Sequence, residues 1–287
     1  MSDLLRECRS EGAALAAKYR LSMSQPKNAG VSGNWLGVGT GSSIDFQDHR
    51  PYAPGDDPRY INWQAYARSG DYTMKLYRDE VSPLVDVLVD ISPSMMRKKA
   101  KAKAALSLFY FCVESCLSVD ASLRCFSIAG DDLRALSADE VLSGAWSIES
   151  KSDLTQLVPD FESVPWRAQS ARVLVSDFLF PGSPEALLKS FGMRSTWSAA
   201  FSVYDEAEAN PDWGGSMKLV DSETGGERIL HCDQETIRKY RQSYDRHFGM
   251  WMDYFRKRGS AFWRVSADEP LEAQASRSGV VSGALAI

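Results

Sequence analysis

The residues best suited to chemistry lie between Val85 and Met95. An apolar, Val-rich run ends there at Asp90, and serines follow at alternate positions, Ser92 and Ser94. Such a run predicts a buried parallel strand, and open α/β sheets bind their ligands at the carboxyl ends of the strands. One carboxylate and two hydroxyls, with no base beside them, suit a hard cation such as Mg²⁺ or Mn²⁺ better than covalent catalysis. A structural role is also open, because either serine could cap the helix that follows.

The other predicted strands and helices would hold this loop at the edge of a sheet. Strands at residues 121–128, 172–177, 197–204 and 261–265 alternate with helices at 97–119, 184–191 and 234–258. This alternation favours a doubly wound, mostly parallel, Rossmann-like α/β sheet. Residues 131–136 predict an edge strand, and residues 218–230 predict a hairpin. The strand at 172–177 repeats the pattern of the first, since it too ends in an aspartate, Asp177.

We divide the chain into four parts. Residues 1–30 form an N-terminal helix and linker, 31–80 an irregular and β accessory layer, 81–272 the α/β domain, and 273–287 a tail. The tail is rich in small residues, which predicts mobility. The glycines at 37–43 are not followed by Gly-Lys-Ser/Thr, so a turned or mobile loop is favoured over a phosphate-binding loop.

Composition excludes several classes of protein. The net charge of −5 gives no reason to expect nucleic-acid binding, and no apolar run approaches the ~18 residues of a membrane span. The amino terminus lacks the order of charges and apolar residues of a signal peptide. Five irregularly spaced cysteines fit a reducing cytosol, so a cytoplasmic location is expected. The three histidines form no metal-ligand spacing, which argues against zinc catalysis.

A cluster of basic residues opens the helix predicted at 97–119. Its members are Arg97, Lys98, Lys99, Lys101 and Lys103. Cations at a helix N-terminus oppose the helix dipole, so their presence calls for an explanation. Two interpretations are open: the cluster faces an acidic partner, or it forms an ordinary solvated face.

The region upstream of the loop carries a longer signature. The run DFQDHRPYAPGDDPRYINWQAYARSGDYTMKLYRDE, followed by VLVDISPSM, resembles the MoxR-associated family of von Willebrand factor A-like proteins. The matching positions are Asp45, Phe46, Asp48, Arg50, Tyr52, Gly55, Asp56, Arg59, Ile61, Trp63, Ala67 and Arg68. The resemblance covers about residues 37–270 and implies a von Willebrand factor A-like fold with a metal-ion-dependent adhesion site (MIDAS) at Asp90, Ser92 and Ser94.

In such domains a threonine from a second loop and an aspartate after a later strand complete the site. The resemblance therefore implies Asp177 in VLVSDF and Thr155 in KSDLTQLVPDF as further metal ligands. Thr155 lacks the glycines that usually precede that threonine, and nearby Asp153 could substitute for it or add charge.

The resemblance also implies a function. We expect a non-catalytic interaction module whose metal accepts an Asp or Glu from an acidic protein surface. It would act as an adaptor for a MoxR-type AAA+ ATPase in the assembly or remodelling of client proteins. Two alternatives stay open. One is a metal-dependent phosphohydrolase that uses Asp90, with Lys98 or Lys101 holding phosphate. The other is a structural scaffold with a non-functional metal site.

Overall fold

A six-stranded sheet forms the centre of the larger of the two units into which the chain divides. This computed structural model describes residues 2–23, 44–55, 58–79, 82–150, 158–222 and 225–287. The larger unit comprises Met1–Gly30 and Leu84–Ile287, and the smaller comprises Val31–Pro83. None of the helices in those described stretches combines the length and apolar character needed to cross a bilayer.

The strands are β1 (Arg20–Leu21), β2 (Ile44–Pro51), β3 (Thr73–Asp79), β4 (Leu84–Asp90), β5 (Ser122–Ala129), β6 (Asp132–Leu136), β7 (Ala171–Ser176), β8 (Trp197–Tyr204), β9 (Gly215–Val220), β10 (Glu227–Cys232), β11 (Ala261–Ser266) and β12 (Leu285–Ala286). The helices are α1 (Ser2–Ala16), α2 (Trp63–Ser69), α3 (Pro93–Met96), α4 (Lys99–Leu117), α5 (Ala138–Ser143), α6 (Pro184–Leu187), α7 (Lys189–Gly192), α8 (Glu206–Ala209), α9 (Gln234–Lys257) and α10 (Leu271–Gln274). Short 3₁₀ turns cover Pro58–Tyr60 and Phe161–Ser163, and a π-helical turn covers Ala275–Gly279.

The central sheet has the strand order β11-β8-β7-β4-β5-β6. All neighbouring pairs are parallel except β5 and β6, which are antiparallel and place β6 at the edge. The predicted mostly parallel α/β sheet is therefore confirmed, and so is the edge strand. Strand β4 lies between β5 and β7, which explains why its sequence is almost continuously apolar.

Alternate residues of β4 enter two different cores. Val87 and Val89 pack with α1 and α4 on one face of the sheet. Leu88 packs on the other face against α9, together with Phe248 and Trp251. This follows from the two-residue period of a strand, which sends successive side chains to opposite faces. Helices therefore cover both faces, and sheets of this kind bind their ligands at the carboxyl edge.

Helix α1 crosses α4 at close range. A Cβ at Gly12 would lie 2.6 Å from the backbone nitrogen of Phe111, so only glycine permits this approach. The helix ends at Ala16, within the segment 1–30 for which the sequence predicts a helix and a linker. Helix α4 begins at Lys99 after the separate turn α3, whereas the sequence predicts one helix from Arg97. Helix α9 begins as predicted, because the Asp233 side chain accepts a hydrogen bond from the backbone N–H of Thr236 at 2.7 Å.

The segment after Ala273 is structured, so the prediction of a mobile tail is wrong. Strand β12 pairs with β1, and Leu285 is buried. Gln274 fixes the start of the segment, since its amide group bonds both the N–H and the carbonyl of Ser266 at 2.8 Å. The small residues serve close packing instead of mobility: a Cβ at Gly279 would lie 2.6 Å from Leu285 Cδ1.

In the smaller unit, β2 and β3 form an antiparallel pair with an irregularity between Phe46 and Asp48. Asn62 caps the start of helix α2, because its side chain accepts from the N–H of Ala65, and Gly70, in the left-handed conformation, caps its end. The β character predicted for the accessory segment is thus present between residues 44 and 79. The glycine-rich passage at 37–43 lies outside the described residues.

Candidate functional site

Three neighbouring parallel strands each end in an aspartate at the same edge of the sheet. Asp90 is the last residue of β4, and Asp177 and Asp205 directly follow β7 and β8. All three side chains are buried. Asp90 and Asp177 are predicted from the sequence and lie close enough for their charges to interact. Asp205 is missed, although the same signal, an aspartate directly after a strand, is visible in its sequence.

The Asp90 loop brings its three predicted ligands together. Asp90 Oδ1 accepts the backbone N–H of Ser92 at 2.9 Å, and Oδ2 accepts the hydroxyl of Ser176 at 2.6 Å. The hydroxyl oxygens of Ser92 and Ser94 lie 3.1 Å apart. Ser92 occupies the N-cap position of α3 but makes no side-chain capping bond. The capping role considered for Ser92 is therefore not realised by its hydroxyl.

Asp90 has an unusual electrostatic environment. Complete burial and the negative charge of Asp177 raise its pKa to about 7, and the hydrogen bonds from Ser176 and Ser92 oppose this rise only in part. The groups bonded to Asp90 are neutral. A buried carboxylate held by neutral donors is costly unless a cation offsets its charge.

Asp177 has a different partner, the fully buried ammonium of Lys101. Asp177 Oδ2 accepts from Lys101 Nζ at 3.0 Å, and its Oδ1 accepts the backbone N–H of Leu179 at 3.0 Å. Lys101 also donates to both carboxylate oxygens of Glu208 on α8, at 2.8 and 3.1 Å. Burial disfavours the charged lysine, but the carboxylates of Asp177 and Glu208 outweigh this and raise its pKa. Lys101 is thus a permanent cation inside the site.

Intrachain ion pairs involve three lysines of the basic cluster. Lys98 pairs with Asp205, and Lys103 pairs with Glu7 and Glu11 on α1 at 2.7 and 2.6 Å. Lys101 is the third, and the expectation that the cluster faces an acidic partner stays a prediction. The solvated-face interpretation is wrong for Lys101, which is buried. The acids of α8 and α1 explain how cations persist at this helix N-terminus despite the helix dipole.

The backbone after β7 is strained at the site. Phe178 has φ of 60°, a left-handed conformation that costs a bulky residue free energy unless its surroundings enforce it. Its ring is buried against Trp251, and its carbonyl lies 2.6 Å from His247 Nε2. This turn reverses the chain so that Asp177 can accept the N–H of Leu179. Sequence analysis does not find the role of His247, because the contact joins α9 to a loop 69 residues away.

An open cavity of about 850 Å³ lies above the loop. Its polar lining includes Asp90, Ser92, Ser94, Asp177 and Glu208, and its apolar lining includes Leu179, Phe180 and Val220. Thr155, and Asp153 beside it, lie outside the described residues, so their assignment as ligands stays a prediction.

The donor set is compatible with a small hard cation. Neighbouring ligands of an octahedral Mg²⁺, with bonds of about 2.0–2.1 Å, are separated by about 3 Å, and the Ser92 and Ser94 oxygens lie 3.1 Å apart. When ionised, Asp90 adds a negative charge beside them that its neutral hydrogen-bond donors do not offset. Among the described residues no three His, Cys, Asp or Glu side chains cluster as ligands. Any metal bound here would therefore depend on the two hydroxyls.

The architecture is that of an α/β domain with an Asp-x-Ser-x-Ser loop at the carboxyl edge of its sheet. Residues 48–115 match the profile of the family described as "Protein of unknown function DUF58". No curated protein matches the chain.

Two solved structures match this chain at low identity. One is the conserved hypothetical protein BatB from Bacteroides thetaiotaomicron, at 13% identity and a TM-score of 0.32, covering 70% of this chain and 98% of that one. The other is an aerotolerance-related membrane protein from Bacteroides fragilis, at 15% identity and a TM-score of 0.34, covering 68% and 96%. Superpositions of this quality carry no argument about function.

Proposed function

We propose that this protein is a non-catalytic, metal-dependent interaction module. In this proposal Mg²⁺ or Mn²⁺ binds at Asp90, Ser92, Ser94 and Asp177, with Thr155 as a further ligand, and a partner protein contributes an Asp or Glu to the metal. The observation that carries the proposal is the pair of hydroxyls 3.1 Å apart near a buried carboxylate, all three of which line an open cavity. A metal held largely by neutral oxygens keeps its attraction for an outside carboxylate.

Three features of the site favour binding over catalysis. Asp90 is almost completely buried and both its oxygens accept hydrogen bonds, which is poor placement for a nucleophile. The residues that line the described part of the cavity include no histidine or cysteine, and two of its carboxylates, Asp177 and Glu208, are bonded to Lys101. Lys101, considered above as a phosphate holder, is committed to Asp177 and Glu208. These features weigh against the phosphohydrolase alternative.

The partner in this proposal is a MoxR-type AAA+ ATPase, and the setting is the cytoplasm. Support for the partner comes from the signature around residues 45–80 and from the absence of a Gly-x-x-x-x-Gly-Lys-Ser/Thr run in the sequence, so that ATP hydrolysis would fall to another protein. The protein would then act as an adaptor in assembling or remodelling client proteins.

Calorimetric titration with MgCl₂ and MnCl₂ tests the metal site. The wild type should bind, and Asp90→Asn, which keeps the size of the side chain and removes its charge, should bind far more weakly. Asp245→Asn on the exposed side of α9 is a matched control and should bind like the wild type. Equal binding by wild type and Asp90→Asn would contradict the assignment. The complete absence of binding would favour the scaffold alternative.

Co-purification tests the partnership. A complex with the cognate MoxR-type ATPase should be weakened by EDTA and by Asp90→Asn, and not by Asp245→Asn. A complex insensitive to EDTA and to Asp90→Asn would mean that the metal site is not the contact.

A further inference from the structure

The hairpin β9–β10 is separate from the central sheet, and its outer edges are unpaired. In the parts of the chain that the structure describes, β9 and β10 pair only with each other. Every residue of β10 before Cys232 is exposed, and Ile229 is 82% exposed. A two-stranded hairpin is marginally stable alone, and an unpaired strand edge can accept a further strand. A strand added to this hairpin would therefore stabilise it.

The outer edge of β10 offers the backbone groups of three alternate residues. The Asp221 N–H donates to the Gly226 carbonyl at 2.8 Å, so these two residues form a hydrogen-bonded pair beside the strands. Hydrogen-bonded and non-hydrogen-bonded pairs alternate along an antiparallel ladder. The backbone groups of Glu227, Ile229 and His231 therefore point away from β9, toward the outer edge.

The two edges of the hairpin differ in how well they can accept a strand. On β9 the residue opposite Ile229 is Lys218, and an exposed lysine is a common protection of edge strands against further pairing. On β10 the central residue is Ile229, whose β-branched side chain favours pairing. The end of β9, at Val220, also lines the cavity of the candidate site. A further strand is therefore expected at β10.

The residue order of β10 is complementary to itself. If two β10 strands pair antiparallel about a two-fold axis at Ile229, Glu227 of each copy lies opposite His231 of the other, and the two Ile229 side chains meet. An imidazole can donate a hydrogen bond to a carboxylate, so both outer pairs are favourable. Between them, Arg228 lies opposite Leu230, which can cover the aliphatic stem of the arginine. The backbone groups that point outward then bond one another.

The ion pair on the same face of the hairpin is compatible with this arrangement. Lys218 Nζ lies 2.7 Å from Glu227 Oε1, and both side chains are 57% exposed. A carboxylate can accept several hydrogen bonds, so Glu227 can contact a second donor as well as Lys218. The same two-fold operation on β9, about Lys218, would place two lysines directly opposite each other, which is unfavourable.

We infer that this protein forms a homodimer in which the β10 strands of two copies pair antiparallel about Ile229. The two hairpins then form one four-stranded sheet. The contact is short, as in transient interfaces, so dissociation is expected at roughly micromolar concentrations. The inference goes beyond the proposed metal site and does not depend on it, because Asp90 lies outside the hairpin.

Analytical ultracentrifugation of the full chain, from about 1 μM to about 1 mM, tests the inference. The average mass should rise toward that of a dimer. His231→Glu should weaken association on the order of tenfold, because two like-charged pairs replace two complementary ones. The double variant Glu227→His/His231→Glu should restore association, because the exchange recreates the same pairs. Gln242→Glu, which adds the same charge on the exposed side of α9, should associate like the wild type.

A disulfide introduced at the axis gives a second measurement. Cα atoms of a hydrogen-bonded antiparallel pair lie about 5.5 Å apart, within the ~4.4–6.8 Å that a disulfide spans. The five native cysteines are buried, so the introduced thiol should react in their place. Under mild oxidation Ile229→Cys should form crosslinked dimers much faster than Val281→Cys, which lies outside the hairpin at a position that is 84% exposed.

Three results would overturn the inference. One is a chain that stays monomeric up to about 1 mM. Another is a dimer that His231→Glu leaves unchanged, or that the double variant fails to restore. The third is crosslinking through Ile229→Cys that is no faster than through Val281→Cys.

Discussion

Two positive charges are assigned to this site, the buried ammonium of Lys101 and the proposed divalent metal. The substitution Lys101→Met removes the first and leaves the second. Methionine keeps most of the length of the aliphatic stem, which is buried, and removes the ammonium. Asp177 and Glu208 then face each other without the cation that now bonds both of them. Removing one partner of a buried ion pair costs roughly 3–5 kcal/mol because the remaining charge is left uncompensated. The Glu208 side chain is 22% exposed, so water relieves part of this cost and we expect about 3 kcal/mol.

The pH dependence of this loss has a definite sign. In the wild type the folded-state pKa of Lys101 is raised. The charged lysine therefore contributes fully to the free energy of unfolding below the unfolded-state pKa of about 10.4, and this contribution declines only at higher pH. In Lys101→Met the folded-state pKa of Glu208, which burial already raises, should rise further because Lys101 now opposes that rise. The variant should therefore recover stability as the pH falls and Glu208 becomes protonated.

Urea unfolding followed by circular dichroism at pH 8 and pH 5 measures both effects. The control is Lys99→Met, which changes an exposed lysine in the same helical turn and should shift the free energy of unfolding by no more than about 0.5 kcal/mol. Mg²⁺ should stabilise Lys101→Met more than the wild type, because the metal becomes the remaining cation near Asp177. If Lys101→Met and Lys99→Met unfold alike at both pH values, the assignment of Lys101 as an internal cation is refuted.

Other predictions follow from packing and burial. Gly12→Ala should lower the free energy of unfolding by ~1–3 kcal/mol, because its Cβ would overlap the backbone of Phe111. Gly249→Ala, where a Cβ meets no other atom, should raise the free energy of unfolding by up to ~1 kcal/mol in the same urea assay. Asp86 is buried, but its bonds to two arginines lower its pKa, so Asp86→Asn should cost on the order of 3 kcal/mol at neutral pH and less as the pH falls below about 4. Burial raises the pKa of the thiols of Cys8, Cys112, Cys116 and Cys125. In the folded protein these thiols should react with a disulfide reagent at pH 8 only as fast as the protein opens, whereas in the unfolded chain they should react at once.

Much of the fold could be predicted because its local signals agree with its packing. Strand β8 occupies the predicted residues 197–204, and α9 begins at Gln234, the predicted first residue of its helix. Both elements have strong periodic patterns and clear boundaries. The segment after Ala273 could not be predicted in the same way. Its small residues are typical of mobile tails, and their packing against Leu285 depends on the pairing of β12 with β1 from the opposite end of the chain.

Part of the candidate site could likewise be predicted from local sequence signals, and part of it depends on tertiary structure. Asp90, Ser92, Ser94 and Asp177 could be found because each lies at or just after the end of an apolar strand, a signal within the sequence itself. The pairing of Lys101 with Asp177 and Glu208 could not, since it requires that α4 and α8 meet across the sheet edge. In the sequence alone, the basic cluster at residues 97–103 has the composition of an exposed surface. Only tertiary structure shows that its charges are neutralised by acids 76 and 107 residues away.

The most direct test of the central claim is anomalous diffraction from crystals grown with saturating Mn²⁺. We expect one strong peak at the carboxyl edge of the sheet, from a metal bonded at about 2 Å to the hydroxyl oxygens of Ser92 and Ser94, and no such peak in Asp90→Asn crystals. A peak bound elsewhere, or no peak at the Asp90 loop under saturating Mn²⁺, would contradict the claim that this loop holds a metal.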